Sequence, residues 1–304
     1  MRWLSDFMAL KKGIWSGPIL DNHFHLNPQG RYLDAANDFQ RAGGTHLVLI
    51  HCPDFANPPT TYDEHFSSYS DTCDTAQKVR ETSGLDVRVV LGPHPAAFAH
   101  QFEKWVGEKG DDGIEMAVEN YWNSIDAAMC FVHENKAVAL GEVGRPHWEV
   151  SEQIWELSNE LLKQTMLLSK KESIPLQLHV EAGVEEVYSS LASLADSVGL
   201  NRSRLIRHFA PPDISRENTK GITPSVNLRK SGLEKLMLQI ESSDGFMLET
   251  DYMDDPRRPG AVLGPKTVPK RTQQLAELSV ESNIIDEELF WNMHVEIPNS
   301  LYGV

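Results

Sequence analysis

The chain has 304 residues, 40% of them hydrophobic, which is long and apolar enough to bury a full core. Its formal net charge of −16 argues against a broad nucleic-acid-binding surface, because such a surface needs lysine and arginine to displace counterions from phosphates. No apolar run approaches the length that spans a bilayer, so we expect no membrane segment.

Short β-rich segments alternate with longer helical or polar segments along the chain. Continuous apolar runs, such as residues 47–50, suit strands that are covered on both faces, as in parallel sheets. The predicted strands are residues 19–26, 46–52, 87–94, 137–143, 176–180, 205–209, 222–227 and 246–251. The clearest predicted helices are residues 152–171, 184–198 and 266–282.

Eight strands, each followed by a connection long enough for a crossover, predict an α/β fold of the (β/α)8 TIM-barrel class. We expect a single domain over residues 1–304, with the barrel itself at about 19–283. A doubly wound open sheet is the alternative, although no Gly-rich nucleotide loop follows the first strand. The proline-rich segments 53–61 and 254–269 are predicted loops at the catalytic face of such a barrel.

The first predicted strand contains the motif Asp21-Asn-His23-Phe-His25. Strand side chains alternate between two faces, so both histidines and Asp21 are expected to point to the same side. Two imidazoles and a carboxylate directed at one point suit a divalent metal such as Zn²⁺ or Mn²⁺. Alone, the motif is explained equally well by a histidine-bearing turn.

Polar residues recur at the predicted ends of later strands: His94, Glu142, His179, His208 and Asp251. Barrel enzymes place their chemistry at these ends, so the side chains are expected to converge on one pocket. A single histidine of this kind is more often a core residue, and a single carboxylate more often caps a helix. Buried together without an ion, however, they would be poorly satisfied and the carboxylates would repel each other.

A metal site is therefore predicted at the end of the barrel. Its ligands are His23, His25, Glu142, His179, His208 and Asp251. Six ligands exceed the needs of one tetrahedral metal, so we predict two divalent ions, with Zn, Mn, Ni and Mg left open, and a bound water that serves as the nucleophile for hydrolysis.

The chain resembles the TatD-related metal-dependent hydrolases, which are barrel members of the amidohydrolase superfamily. The resemblance covers nearly the whole chain and depends on ordered motifs: DNHFHL at 21–26, GPHP at 92–95, GEVG at 141–144, LH at 178–179, RH at 207–208 and LETD at 248–251.

The resemblance implies a role for each ligand. His23 and His25 would hold the first ion, His179 and His208 the second, and Glu142 would bridge them. Asp251 would bind the first ion and handle the proton of the attacking water, so Glu142 and Asp251 are the predicted catalytic residues. Superfamily branches that bridge with a carboxylated lysine carry it at the end of the fourth strand, where this chain has Glu142.

Phosphoester hydrolysis is the activity that the resemblance implies, with DNA as one substrate class. The predicted substrate-binding residues are His94, Arg145, His147 and Arg207, with Arg257, Arg258 and Lys266 as further cations near strand ends. The alternative is that these are solvated loop charges. The charge of −16 favours a small phosphodiester or a short nucleic-acid end over a long duplex.

Three functions remain as hypotheses. The first is a dinuclear phosphodiesterase or nuclease. The second is a superfamily hydrolase of an amide, lactone or carboxylate substrate. The third is a metal-binding protein without turnover, which the retention of Asp251 disfavours. The widely spaced Cys52, Cys73 and Cys130 predict reduced thiols in a cytoplasmic protein, and a homo-oligomer is left open.

Overall fold

A closed barrel of eight parallel strands forms the centre of the molecule. A computed structural model describes residues 8–255, 257, 263–282 and 284–303. The barrel strands β1 to β8 are Leu20–Phe24, His46–Ile50, Asp86–Leu91, Ala139–Gly144, Leu176–His179, Leu205–Ala210, Thr223–Asn227 and Met247–Glu249. Each strand pairs in parallel with the next one in the chain, and a short antiparallel hairpin, Leu10–Lys11 with Ile14–Trp15, precedes them.

The sheet closes where β1 meets the segment after β8. The Asp251 N–H donates to the His23 carbonyl at 3.0 Å, and the His25 N–H donates to the Tyr252 carbonyl at 2.8 Å. Phe24 also bridges Tyr252 in parallel register. The predicted (β/α)8 barrel is thereby confirmed, and the open sheet is excluded. The carboxyl ends of all eight strands meet at one mouth.

Helices surround the barrel. Helices α1 to α11 are Leu33–Arg41, Tyr62–Ser83, Pro95–Lys109, Asp111–His133, Glu152–Glu172, Glu185–Val198, Arg216–Thr219, Leu233–Met237, Thr267–Leu278, Glu287–Trp291 and Ile297–Tyr302. The three predicted helices correspond to α5, α6 and α9, and residues 267–269 of the second predicted loop belong to α9. In the part of the chain that the structure describes, no helix combines the length and hydrophobicity needed to cross a bilayer.

Side-chain alternation divides the core into an inner and an outer layer. In β2, Val48 and Ile50 point into the barrel, whereas Leu47 and Leu49 pack against the helices. Tyr302 of α11 enters the barrel interior, where its hydroxyl donates to Asn22 Oδ1 at 2.7 Å and accepts from Gln177 Nε2 at 2.9 Å. Residues buried on both faces explain the continuous apolar runs of the sequence.

A β-bulge in β1 overturns one prediction. Asp21 pairs with Leu47 but Phe24 pairs with Leu49, so two residues of β1 oppose one residue of β2. The expected shared direction of Asp21 and the histidines is therefore wrong. Asp21 instead accepts hydrogen bonds from the backbone N–H of Thr250 at 3.0 Å and from its hydroxyl at 2.7 Å, which ties β1 to the end of β8.

A second buried carboxylate joins the loops that follow β1 and β8. Asp254 accepts the backbone N–H groups of Asn27 at 3.1 Å, Arg31 at 2.7 Å and Tyr32 at 2.7 Å. The Tyr252 hydroxyl donates to the same carboxylate at 3.1 Å. Since hydrogen bonds to charged groups are the strong ones, this contact fixes both loops beside the mouth.

Replacing Asp254 by alanine should lower the free energy of unfolding by roughly 1–3 kcal/mol, because three partly buried backbone N–H groups lose their charged acceptor. Urea denaturation measures this loss. Asp244→Ala is the matched control, since Asp244 is exposed and pairs only at the surface with Arg216. Equal losses in both variants would contradict the role given to Asp254.

Candidate metal centre

The structure brings six side chains from five strands together at the mouth. They are His23, His25, Glu142, His179, His208 and Asp251. The Glu142 carboxylate lies at the centre: its Oε1 is 2.9 Å from His179 Nδ1, 2.9 Å from His208 Nε2 and 3.6 Å from His23 Nε2. Residues that are far apart in the sequence thus form one polar cluster, as the strand-end pattern predicts.

Hydrogen bonds show which ring nitrogen of His23 and of His25 carries a hydrogen and which has a free lone pair. His25 Nδ1 lies 3.1 Å from the Ile50 carbonyl, which only accepts, so His25 Nδ1 carries the hydrogen. His23 Nδ1 donates in the same way to Gln177 Oε1 at 2.9 Å, and the Gln177 amide is oriented by donation to the Asn22 carbonyl. Both Nε2 atoms therefore present lone pairs, and they are only 3.1 Å apart. Two facing acceptors at this distance require a cation.

The spacing of the first group of donors fits a divalent metal. His23 Nε2 lies 3.1 Å from His25 Nε2, and the distances from these two nitrogens to Asp251 Oδ1 and to the nearest Glu142 oxygen run from 3.6 to 3.9 Å. Ligands held about 2.0–2.2 Å from a tetrahedral ion lie roughly 3.3–3.6 Å from one another. The donor set of imidazoles and carboxylates is also the one that such ions prefer.

A second group of donors shares the same glutamate. Glu142 Oε1, His179 Nδ1 and His208 Nε2 form a triangle with sides of 2.9, 2.9 and 3.0 Å. The other Glu142 oxygen, Oε2, lies 3.9 Å from His25 Nε2 in the first group. Glu142 therefore stands between two sets of ligand atoms.

Burial and charge set the protonation of this cluster. Burial alone would raise the pKa of Glu142, but His94, His208 and His23 outweigh it and hold that pKa well below its usual value. For His208, burial acts to lower the pKa, but Glu142 and Glu249 raise it well above the usual value. Without metal, His208 is therefore favoured as an imidazolium, and an ion that binds to its Nε2 would have to displace a proton.

Glu249 supports His208 from behind, and sequence reasoning missed it. It is fully buried, its Oε1 lies 3.4 Å from His208 Nδ1, and it accepts the Phe209 backbone N–H at 2.7 Å. This contact places a carboxylate charge beside the His208 imidazole without a hydrogen bond, since His208 Nδ1 has no hydrogen-bond partner among the described residues. The signal was available, because Glu249 lies two residues before Asp251 and on the same face of the strand.

His94 does not end a strand, since β3 ends at Leu91. It caps helix α3, where its Nδ1 accepts the Ala96 N–H at 3.0 Å. The remaining hydrogen is on Nε2, 3.3 Å from Glu142 Oε2, and burial lowers the pKa of His94 to about 3. By distance His94 could share an ion with Glu142 and His179, but a nitrogen that carries a hydrogen donates rather than binds a metal.

His147 lies behind one of the predicted ligands. Its Nδ1 is 2.6 Å from His179 Nε2, on the side of the imidazole that faces away from Glu142. This exposed histidine was predicted to contact substrate. The structure places it in position to orient His179.

Two predicted substrate-binding arginines point away from the mouth. Arg145 is fully buried and binds both carboxylate oxygens of Glu181 at 2.9 and 2.6 Å. Arg207 is buried over the Tyr188 ring, with Nη2 2.6 Å from the Gly183 carbonyl. Both predicted substrate contacts are therefore corrected. For Arg207 the cause is alternation, because its neighbour His208 points into the barrel.

The remaining predicted cations lie in surface pairs or outside the described residues. Arg257 pairs with Asp255 at 3.0 Å, and Lys266 pairs with Asp38 at 3.2 Å. Arg258 belongs to the residues that the structure does not describe. These two pairs are exposed, as expected for solvated loop charges.

Comparisons with known proteins identify the family and agree with the fold. A model of the TatD-related DNase family matches residues 20–303. An uncharacterized protein from Methanocaldococcus jannaschii is 30% identical over 290 residues, which cover 94% of this chain and 96% of that protein. The fold is also similar to a TatD-like protein from Archaeoglobus fulgidus (15% identity, TM-score 0.56, 87% of this chain and 94% of that chain). An uncharacterized amidohydrolase from Saccharomyces cerevisiae is similar too (12% identity, TM-score 0.58, 90% of this chain and 98% of that chain).

Metal binding should release protons, because His208 must lose its proton before Nε2 can bind an ion. Calorimetry with Mn²⁺ in two buffers of different ionisation enthalpy counts these protons. We expect His208→Gln to release about one proton fewer than the unmodified protein. Its control, His133→Gln, changes an exposed histidine and should leave the count unchanged. An unchanged count in His208→Gln would refute the assignment.

Proposed function

Because this chain belongs to the TatD-related DNase family, it is a metal-dependent hydrolase, and we propose that it cleaves phosphodiester bonds. The observation that supports this most is the position of Glu142 between two groups of ligand atoms. Two ions held there would supply positive charge for phosphoryl oxygens and a bound water acidic enough to attack.

We assign the ligands as follows. His23, His25 and Asp251 hold one ion, His179 and His208 hold the other, and Glu142 is shared. Four imidazoles favour zinc or nickel over magnesium, and the two carboxylates also suit manganese.

Asp251 is the proposed acceptor of the proton from the attacking water. Its Oδ1 lies 3.6 Å from His25 Nε2, and its backbone N–H is held by the His23 carbonyl at 3.0 Å. Asp251 and His179 are the two proposed ligands that are partly exposed, and Asp251 is the one of the two that is a carboxylate. A carboxylate fixed at the water-facing side of the site can act as general base.

His94 is the proposed donor to the substrate. Its Nδ1 is occupied by the Ala96 N–H, so Nε2 presents a hydrogen beside Glu142. Because burial holds the pKa of His94 at about 3, the imidazole stays neutral at working pH. A neutral N–H at this wall can donate to a phosphoryl oxygen or to the departing oxygen.

The size of the substrate follows from charge. The formal net charge of −16 and the inward ion pair of Arg145 leave few cations to track a long polyanion. A small phosphodiester or a short nucleic-acid end is the substrate that we propose.

Hydrolysis of an amide, lactone or carboxylate substrate is the second candidate, favoured by the structural similarity to the yeast amidohydrolase. The same site would then attack a carbonyl carbon. Bis(p-nitrophenyl) phosphate, assayed against a panel of lactones and amides with and without chelator, separates the two. Chelator-sensitive release of nitrophenolate supports the phosphodiesterase, whereas turnover of the carbonyl panel alone would refute it.

Replacing Asp251 by asparagine should reduce kcat by about 10²–10⁴-fold, because the amide accepts no proton from water. Most of the bound metal should remain, since the oxygen is still present. Metal analysis and steady-state kinetics measure the two effects. Unchanged activity would remove the role assigned to Asp251.

Glu142→Gln should lower the metal content toward one ion per chain. A neutral amide has a single ligand oxygen and no charge, so it is a poor shared ligand for two ions. Elemental analysis after dialysis gives the stoichiometry. Glu134→Gln, at an exposed residue, is the control. Two tightly held ions in Glu142→Gln would argue against a shared carboxylate.

A further inference from the structure

Two partly solvent-exposed phenylalanine rings lie beside histidines at the mouth of the barrel. Phe55 is 41% exposed, and its ring lies 5.1 Å from the His94 ring at 89°. Phe209 is 45% exposed, with its ring 6.1 Å from the His208 ring. A single exposed apolar residue is common on protein surfaces. A functional role for these two rings is therefore indicated only by their positions and by the contacts that hold them.

The two phenylalanines belong to parts of the barrel on opposite sides of the mouth. Phe55 is in the loop that follows β2, and Phe209 is near the carboxyl end of β6. In a closed barrel of eight strands taken in chain order, β2 and β6 are half a turn apart. A ligand bound at Glu142 between them would therefore have one ring on each flank.

The backbone of Phe209 is strained in a way that presents its ring. Its φ of 50° lies in the left-handed region, which a bulky residue rarely adopts. Fully buried Glu249 stabilises this conformation by accepting the Phe209 N–H at 2.7 Å. Strain that keeps an apolar ring out of the core is typical of a ligand-binding position.

Phe55 is presented by a fixed turn. The Asn57 N–H donates to the Asp54 carbonyl at 3.1 Å, which closes a turn with Phe55 at its tip. Beyond the turn, the Pro59 carbonyl accepts a hydrogen bond from Gln101 Nε2 at 2.8 Å. The loop is therefore tied to helix α3, and the ring is preorganised.

We propose that Phe55 and Phe209 form an aromatic clamp that stacks on planar rings attached to both sides of the substrate phosphate. The clamp rests on the proposed phosphodiester substrate and adds its chemical class, an ester of aromatic groups, whether nucleobases or aryl rings. Stacking would supply the affinity that the buried Arg145 and Arg207 do not. Each base stacked on an aromatic side chain contributes roughly ten-fold in binding, independently of sequence.

Binding to the Mn²⁺-loaded Asp251→Asn variant, which should keep its metal but turn over slowly, tests the clamp, and the phenylalanine changes are made in that background. The probes are diphenyl phosphate, which has two rings, and dimethyl phosphate, which has none. Phe55→Leu and Phe209→Leu should each lower the ratio of diphenyl to dimethyl affinity roughly ten-fold, as measured by calorimetry. Phe209→Tyr keeps a ring and should restore the ratio. An unchanged ratio in both leucine variants would overturn the clamp.

Phe66→Leu is the matched control. Phe66 is 37% exposed but lies in α2 against Phe131, with ring centroids 4.8 Å apart. This variant should leave the ratio unchanged, and a fall equal to that of the clamp variants would also overturn the proposal.

Parallel assays separate the clamp from the proposed function. Hydrolysis of bis(p-nitrophenyl) phosphate with no effect of the rings on binding would retain the phosphodiesterase and remove the clamp. Ring-dependent binding without hydrolysis of any phosphodiester would retain the clamp and refute the phosphodiesterase. A thymidine dinucleotide that binds more tightly than diphenyl phosphate would identify the rings as nucleobases, and the opposite order would identify aryl esters.

Discussion

The Nε2 atoms of His23 and His25 face each other at 3.1 Å in the mouth of this barrel, and neither carries a hydrogen when both rings are neutral. The Ile50 carbonyl and the Gln177 amide each take the hydrogen of one ring, which leaves no arrangement of the neutral rings that relieves the contact. Without metal, a proton fills the gap: burial would lower the pKa of His25, but Asp251 and Glu142 raise it. With metal, the ion takes that place, so protons and ions compete for one position.

The contacts that close the barrel also hold proposed metal ligands together. The bond from the Asp251 N–H to the His23 carbonyl joins the first strand to the segment after the last, and both residues are among the proposed ligands. Asp21, beside them, binds the backbone and hydroxyl of Thr250. A change that opens this seam would therefore separate the ligands at the same time.

Strand order and strand ends were predictable because an apolar run followed by a polar residue is a local signal. His179 and His208 were found in this way. The β1 bulge was not, since it depends on how Asp21 and Phe24 pair with another strand. Arg207 was predictable from the sequence in the same way. The alternation that places His208 inside the barrel also places Arg207 outside it, but Arg207 was instead predicted to contact substrate. The cap formed by His94 required knowing where α3 begins.

The hydroxyl of Tyr302, which reaches the barrel interior from α11, has a consequence for synthesis. It hydrogen-bonds to Asn22 and Gln177, and Gln177 in turn orients His23. A residue near the C-terminal end of the described chain therefore completes the hydrogen-bond network, or floor, beneath this histidine. A nascent chain still lacking residues 297–302 cannot complete that floor. Before that helix is made, the Gln177 amide that holds His23 lacks one of its own hydrogen-bond partners, so this histidine is fixed in place only when the polypeptide is nearly complete.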